Sequence, residues 1–231
     1  MPGSRLLQIL ELMRAAGHGE PGTAPLCTVT ASVTGLTGAG IMLMSGDVPR
    51  GSLCSSDEVS ARIEDLQYTL GEGPCVDAYA QDRPVLEPDL RTGGASRWIA
   101  FTPPALEAGA RATFGFPLQV GAVRLGALNL YRDRPGPLID AQHGDALILA
   151  GVIARALLAM QAEAEPGSIP ADLEKGADLR LVVHQAAGMV SVQLGVSVAE
   201  ALIRLRARAI ADDRPLVEVA ADVVGRRLRF D

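Results

Sequence analysis

Apolar residues recur at helical spacing between Val59 and Leu70 (Ile63, Leu66, Leu70), and the run stops at Gly71, which predicts a helix closed by glycine. Elsewhere the period is shorter. In Cys27–Thr34, Val29, Ala31 and Val33 alternate with Thr28, Thr30, Ser32 and Thr34, the pattern of a half-buried strand. Gly35 to Gly40 then reads as a turn, with strands at Ile41–Ser45 and Arg50–Ser55. A short amphipathic helix is predicted at Ser4–Met13 (Leu6, Leu7, Leu10), and a second at Cys75–Ala80, opened by Pro74. Val85-Leu86 is a brief strand, and Ser96–Ala108 a helix around Trp98 and Phe101. Thr113–Val120 and Val123–Tyr131 form a hairpin about Gly121-Ala122. Asp140–Glu165 is a long helix with Leu147, Gly151, Ala154, Leu158 and Gln161 along one stripe.

Residues 1–165 therefore predict an α+β unit, an antiparallel sheet with helices at its start, middle and end. Pro166-Gly167-Ser168-Ile169-Pro170 interrupts the chain, and residues 166–172 read as a linker. Residues 173–231 are helical in character throughout, with helices at Leu173–Leu194, Ser197–Ala211 and Pro215–Leu228. Ser197-Val198-Ala199-Glu200 has the form of a capping box. Three helices in so short a segment make a small core, which a partner helix would steady.

Composition narrows the function classes. The chain has 231 residues, 48% of them apolar and 21% charged, so it has enough apolar surface for folded domains. Aromatic residues make up only 3%, too few for a nucleic-acid reader built on rows of stacked bases. The net charge of −6 argues against a protein coated onto phosphate, but the charge is unevenly spread. Residues 1–175 hold 13 Lys/Arg against 20 Asp/Glu, and residues 176–231 hold 8 against 7. The tail's cations are all Arg, whose planar fork suits phosphate and guanine edges. No secretory leader is visible in Met1 to Ala16, and the uncharged stretch Gly22–Gly46 is too rich in Gly, Pro, Ser and Thr for a membrane span, so a cytoplasmic location is expected. Cys27, Cys54 and Cys75 read as three reduced thiols, at least two of them core. No metal site, catalytic triad, phosphate-binding glycine loop or H-E-x-x-H motif is present, which moves the weight from catalysis to binding.

Two features of the tail carry chemistry. Val198, Ala201, Leu202, Leu205 and Ala209 form the buried stripe of the second tail helix, placing Arg204 and Arg208 together on one flank and Arg206 on the other. Arg204 and Arg208, one turn apart, suit a phosphate clamp as well as an ordinary solvated face. In the preceding helix His184, Gly188 and Ser191 form an unusually small side, and a glycine there implies close approach by a helix or by a nucleic-acid backbone.

The tail resembles an ANTAR domain in Val183-His184-Gln185-Ala186-Ala187-Gly188-Met189-Val190, Gly195-Val196-Ser197, Glu200-Ala201-Leu202, Leu205-Arg206-Ala207-Arg208-Ala209 and Arg214-Pro215-Leu216. That resemblance implies a three-helix RNA-binding module of bacterial transcription antiterminators, one that recognises paired hairpins in nascent transcripts and acts as a dimer. The first half is similar to the GAF domains that precede ANTAR in actinobacterial regulators, through Leu70-Gly71-Glu72-Gly73-Pro74-Cys75 and Phe116-Pro117-Leu118. A GAF domain implies a small-molecule pocket on one face of the sheet, for which Cys75, Trp98, Phe101 and Phe116 are candidates. The break at Pro166 and Pro170 departs from the continuous helix expected between sensor and effector.

The sequence thus points to a non-enzymatic, homodimeric antitermination regulator. Its first half would sense a small molecule or redox state, with no metal, and its second half would hold RNA through Arg204 and Arg208. Gly188 would allow backbone approach, His184 and Gln185 would add polar contacts, and Arg226 and Arg227 would extend the basic edge. The alternatives are a thiol-dependent reductase of the GAF type and a protein-binding signalling module without nucleic acid.

Overall fold

The computed structural model describes residues 2–17, 24–45, 48–163, 178–212 and 214–231, so the expected linker at 166–172 lies outside the described residues. Two helices lead: α1 (Pro2–Gly17) and α2 (Ala24–Thr34). Strands β1 (Gly38–Ser45) and β2 (Val48–Ser55) follow, then α3 (Glu58–Leu70), α4 (Pro74–Gln81) and β3 (Val85–Glu87). A π-type turn at Leu90–Gly94 and the short helices α5 (Ala95–Arg97) and α6 (Thr102–Glu107) lead into β4 (Ala112–Val120) and β5 (Val123–Arg132). Helix α7 (Asp140–Glu163) closes this half. The strands form one antiparallel sheet in the order β2-β1-β5-β4-β3, as the α+β pattern predicts.

Two elements of this half differ from expectation. Cys27–Thr34 is helix α2 and not a strand. Its buried residues, Cys27, Thr30, Ala31 and Thr34, fall at i, i+3, i+4 and i+7 once the two threonines are counted as buried. Both threonines satisfy their hydroxyls inside the helix, Thr30 Oγ1 donating to the Leu26 carbonyl (2.7 Å) and Thr34 Oγ1 to that of Thr30 (2.8 Å). The single helix expected at Ser96–Ala108 is broken at Trp98, which leaves the helical region at φ −134°, ψ 80°, and restarts at Thr102, where prolines suit the first turn.

The sheet has two covered faces. One carries Ala39 and Ile41 of β1, Phe114, Phe116 and Leu118 of β4, and Leu128 and Leu130 of β5, packed against α1, α2 and α7. Within this layer Cys27 of α2 and Cys54 of β2 form a disulfide, with Cα atoms 6.0 Å apart, so three free thiols are corrected to one, Cys75. The pairing joins a helix to a strand, a contact that spacing along the chain does not encode. Among the described residues α7 is the single helix long and apolar enough, by itself, to cross a membrane. Its Ala146, Leu149, Ile153 and Leu157 are buried in the layer against the sheet.

Among the described residues the tail forms three helices, α8 (Asp178–Leu194), α9 (Val198–Ala211) and α10 (Leu216–Val224), the last ending short of the expected Leu228. Gly195, at φ +66°, ends α8 in the left-handed region. Ser197 caps α9 by accepting the Glu200 N–H (3.1 Å), while the Glu200 carboxylate turns to Arg204. Most of the core expected for α9 is seen: Ala201, Leu202, Leu205 and Ala209 are buried with Val183, Ala186, Ala187 and Val190 of α8 and with Leu216, Val219, Ala220 and Val223 of α10, whereas Val198, in the first turn, is exposed. The same cluster takes in Met42, Met44, Tyr68 and Tyr79 of the sheet half, which is the steadying contact a three-helix unit needs.

Candidate functional site

The second face of the sheet lies under α3 and α4, and its centre is polar. Pairing places Gly40 of β1, Asn129 of β5 and Gly115 of β4 side by side in one cross-strand row, so Asn129 supplies the only side chain among the three. A Cβ on Gly40 would meet Glu64 of α3, and one on Gly115 would strike the Pro74 carbonyl at the start of α4. The glycines thus let two helices close over Asn129. The Asn129 side chain is fully buried, and neither its Oδ1 nor its Nδ2 has a hydrogen-bond partner. Gln67 Nε2 and Thr113 Oγ1, both buried, are also unpartnered. Each such atom costs about 1–3 kcal/mol, so this row is an unused set of donors and acceptors at the expense of stability.

Gln67 connects the row to the adjoining loop. Its Oε1 accepts the Cys75 N–H (2.8 Å), and its carbonyl accepts the Gly71 N–H (2.9 Å). Gly73, at φ +131°, lies against the Gln67 side chain, where a Cβ would clash. In the same loop Glu72 accepts the N–H groups of Ala100 (2.9 Å) and Phe101 (3.3 Å). Burial, and then the Glu64 carboxylate, push the Cys75 thiol well above its ordinary range, so it stays protonated and unreactive at neutral pH.

Of the four residues expected at a pocket, Cys75 borders the polar row. Trp98 and Phe101 pack edge to face with centroids 6.1 Å apart, among Ile63, Leu66 and Leu90, and Trp98 Nε1 donates to Asp77 of α4 (3.1 Å). Their cluster also takes in Ala78 of α4 and Tyr131 of β5. Phe116 lies on the opposite sheet face, its ring 5.7 Å from that of His143 of α7. A one-residue step along a strand changes the face, and only the register shows which residue points where. Glu64, Gln67, Thr113 and Asn129 were missed, although Ser60, Ile63, Glu64 and Gln67 recur at i, i+3, i+4 and i+7, a buried stripe with polar members. Beside α4 lies a surface cleft of about 630 Å³ lined by Asp77, Gln81, Arg83, Val85 and Arg97.

The tail sorts its arginines into two groups. Arg204 pairs with Glu200 (3.3 Å) and Arg208 with Asp212 (2.6 Å), each an exposed pair within one helix, worth at most about 1 kcal/mol and readily exchanged for phosphate. Gln185 is exposed, His184 is half-buried, and among the described residues nothing lies within 4 Å of where a Cβ on Gly188 would be. Arg226, at φ +58°, is exposed. Arg227 and Arg214 both donate to Asp222 (2.8 Å each), and with Arg214 foremost they hold its carboxyl below the usual range. Arg206 differs from all of these. Its Nη2 donates to the Tyr68 carbonyl at the end of α3 (2.6 Å), and burial pushes its pKa down to about 10.

Residues 26–158, more than half of the chain, match the GAF domain family model. The chain belongs to the GAF domain family. Its GAF half has the fold of the GAF domain from a phosphoenolpyruvate-protein phosphotransferase of Coxiella burnetii, at 13% identity, covering 69% of this chain and 96% of that one with a TM-score of 0.51. The corresponding domain from an Acinetobacter enzyme gives 12%, 70%, 96% and 0.50. At these identities the likeness shows the fold alone. No curated protein matches the chain. The family match ends before the three tail helices.

Proposed function

We propose that this chain is a signal-responsive, RNA-binding transcription antitermination regulator, cytoplasmic and homodimeric, in which the GAF half senses and the tail binds. The observation that carries the sensing part is the unpartnered polar atoms of three buried residues, Asn129 in the row, Thr113 two residues before Gly115 on the same face of β4, and Gln67 of α3 above. A small polar molecule bearing both donors and acceptors would satisfy atoms that the folded chain leaves unpaired, and its binding energy would come from that difference. The Cys27–Cys54 bridge gives the redox arm a definite pair, in place of Cys75. The reading involves no catalysis and no metal.

The RNA part is supported by the ANTAR-like residues of α8 and α9 together with their exposure. Arg204 and Arg208 stand on one flank with ion pairs weak enough to exchange, and Gln185 and Gly188 stand open on α8. The tail carries one more cation than it has anions, so one tail binds RNA weakly, and two joined tails gain by effective concentration. With few aromatics, recognition rests on hairpin shape and phosphate spacing. A bound hairpin would compete with the terminator that shares its sequence.

Gel shifts of the full chain with a paired-hairpin RNA, a scrambled RNA of equal length and duplex DNA test this reading. Retention of the paired hairpin alone is expected. Equal retention of all three, or of none, overturns it in favour of non-specific binding or a protein partner.

A further inference from the structure

We propose that Arg206 is a latch that holds the helical tail on the GAF half, and that filling the polar row beneath Gln67 opens it. The latch stands on its own contacts whether or not the tail binds RNA. Helix α3 ends with Gln67-Tyr68-Thr69-Leu70, so its last turn carries no cation of its own. The carbonyls of a last helical turn are short of donors and sit at the negative end of the helix dipole. Arg206 supplies the missing donor and the missing charge from 138 residues away, through Nη2 to the Tyr68 carbonyl.

Gly71 serves this contact in two ways. It takes φ +69° to end α3, and a Cβ there would collide with the Arg206 guanidinium. The Tyr68 side chain is buried in the cluster that holds the tail's core, so the same residue grips the tail by its ring and Arg206 by its backbone. Among the described residues no carboxylate accompanies the guanidinium within hydrogen-bond reach, and its Nε is buried without a partner. Burying an uncompensated charge opposes docking, which leaves the docked state poised for release.

The link to the polar row runs through one residue. Gln67 spends its carbonyl on Gly71 and its Oε1 on Cys75, which together hold the loop that faces Arg206. A ligand that recruits the Gln67 amide toward Asn129 takes that oxygen from the Cys75 N–H and loosens Gly71 to Gly73. Ligand binding and tail docking are therefore opposed, and by linkage each weakens the other by the same factor.

Hydrogen exchange and small-angle scattering on the full chain test the latch, with far-UV circular dichroism as the fold control. Arg206→Ala removes the cation, and Gly71→Ala puts a methyl where the guanidinium lies without touching the tail. Both should raise the radius of gyration and speed exchange at Gly71–Cys75 by at least about tenfold, with helicity kept. If either variant keeps its helicity together with wild-type exchange and dimensions, the latch is refuted; a loss of helicity in one leaves the other to decide. Gln67→Ala reads the coupling separately. It should reproduce the release, and a docked Gln67→Ala chain would show that the row and the latch are independent.

Discussion

Asn129→Leu should make the protein more stable and less responsive at once. The Asn129 side chain is fully buried, with both amide atoms unpartnered, between two glycines over which Glu64 and the Pro74 carbonyl close. Leucine keeps the branched outline and removes two polar atoms, each of which costs about 1–3 kcal/mol when buried without a partner. Overpacking by two methyl groups bulkier than the amide oxygen and nitrogen offsets part of that gain, so about 2 kcal/mol is expected to remain. For a chain of this size each kcal/mol shifts the melting temperature by about 2–4 °C, which gives a rise of about 4–8 °C. Differential scanning calorimetry at pH 7 measures it, with urea titration to confirm that m is unchanged. An unchanged or lowered melting temperature would refute the reasoning, because it would mean the amide is satisfied in solution and the row is structural. Proteins spend stability at functional sites in this way, and the stabilised variant should lose any ligand-induced shift.

Three further outcomes follow. In Arg204→Ala/Arg208→Ala the slope of log K against log salt for hairpin binding should fall by about 0.7–0.9 for each lost phosphate contact, measured by fluorescence anisotropy; an unchanged slope would remove both residues from the interface. Asp57 caps α3, and although burial opposes its charge, bonds from the Ser60 N–H and the hydroxyls of Ser56 and Tyr131 hold its carboxyl below the usual range. Its stabilisation is therefore full above the unfolded carboxylate value of about 4 and is lost as pH falls through the lower folded value; Asp57→Ala should cost about 1–2 kcal/mol at pH 7 and flatten the acid limb of a pH–stability curve. Reducing Cys27–Cys54, which closes a loop of separation 27, should cost up to about 3.5 kcal/mol by loop entropy, seen as a lower urea midpoint with dithiothreitol and absent in Cys27→Ser/Cys54→Ser.

The hairpin β4–β5, the helix ended by Gly71 and the three tail helices were legible because each follows one period over a long run. Cys27–Thr34 was not, because threonines that bond their own helix count as polar in a pattern yet behave as buried. The site was legible only at Cys75. Asn129 sits inside Leu125–Leu130 as one polar residue in an apolar strand, and its meaning appears when register sets Gly40 and Gly115 beside it. Arg204 and Arg208 were placed on one flank by helical geometry, and the same geometry put Arg206 on the other. That Arg206 meets the end of α3 is a tertiary fact, since the two segments are joined by nothing local.

The central claim is that a GAF sensor here governs an RNA-binding tail, and a transcriptome-wide crosslinking map of RNA bound to the full chain tests it most directly. Crosslinks should gather at paired hairpins overlapping terminators, and Arg204→Ala/Arg208→Ala should deplete them while leaving the protein folded. A wild-type map no different from a mock, or one spread evenly over transcripts and unmoved by the double substitution, would contradict the account.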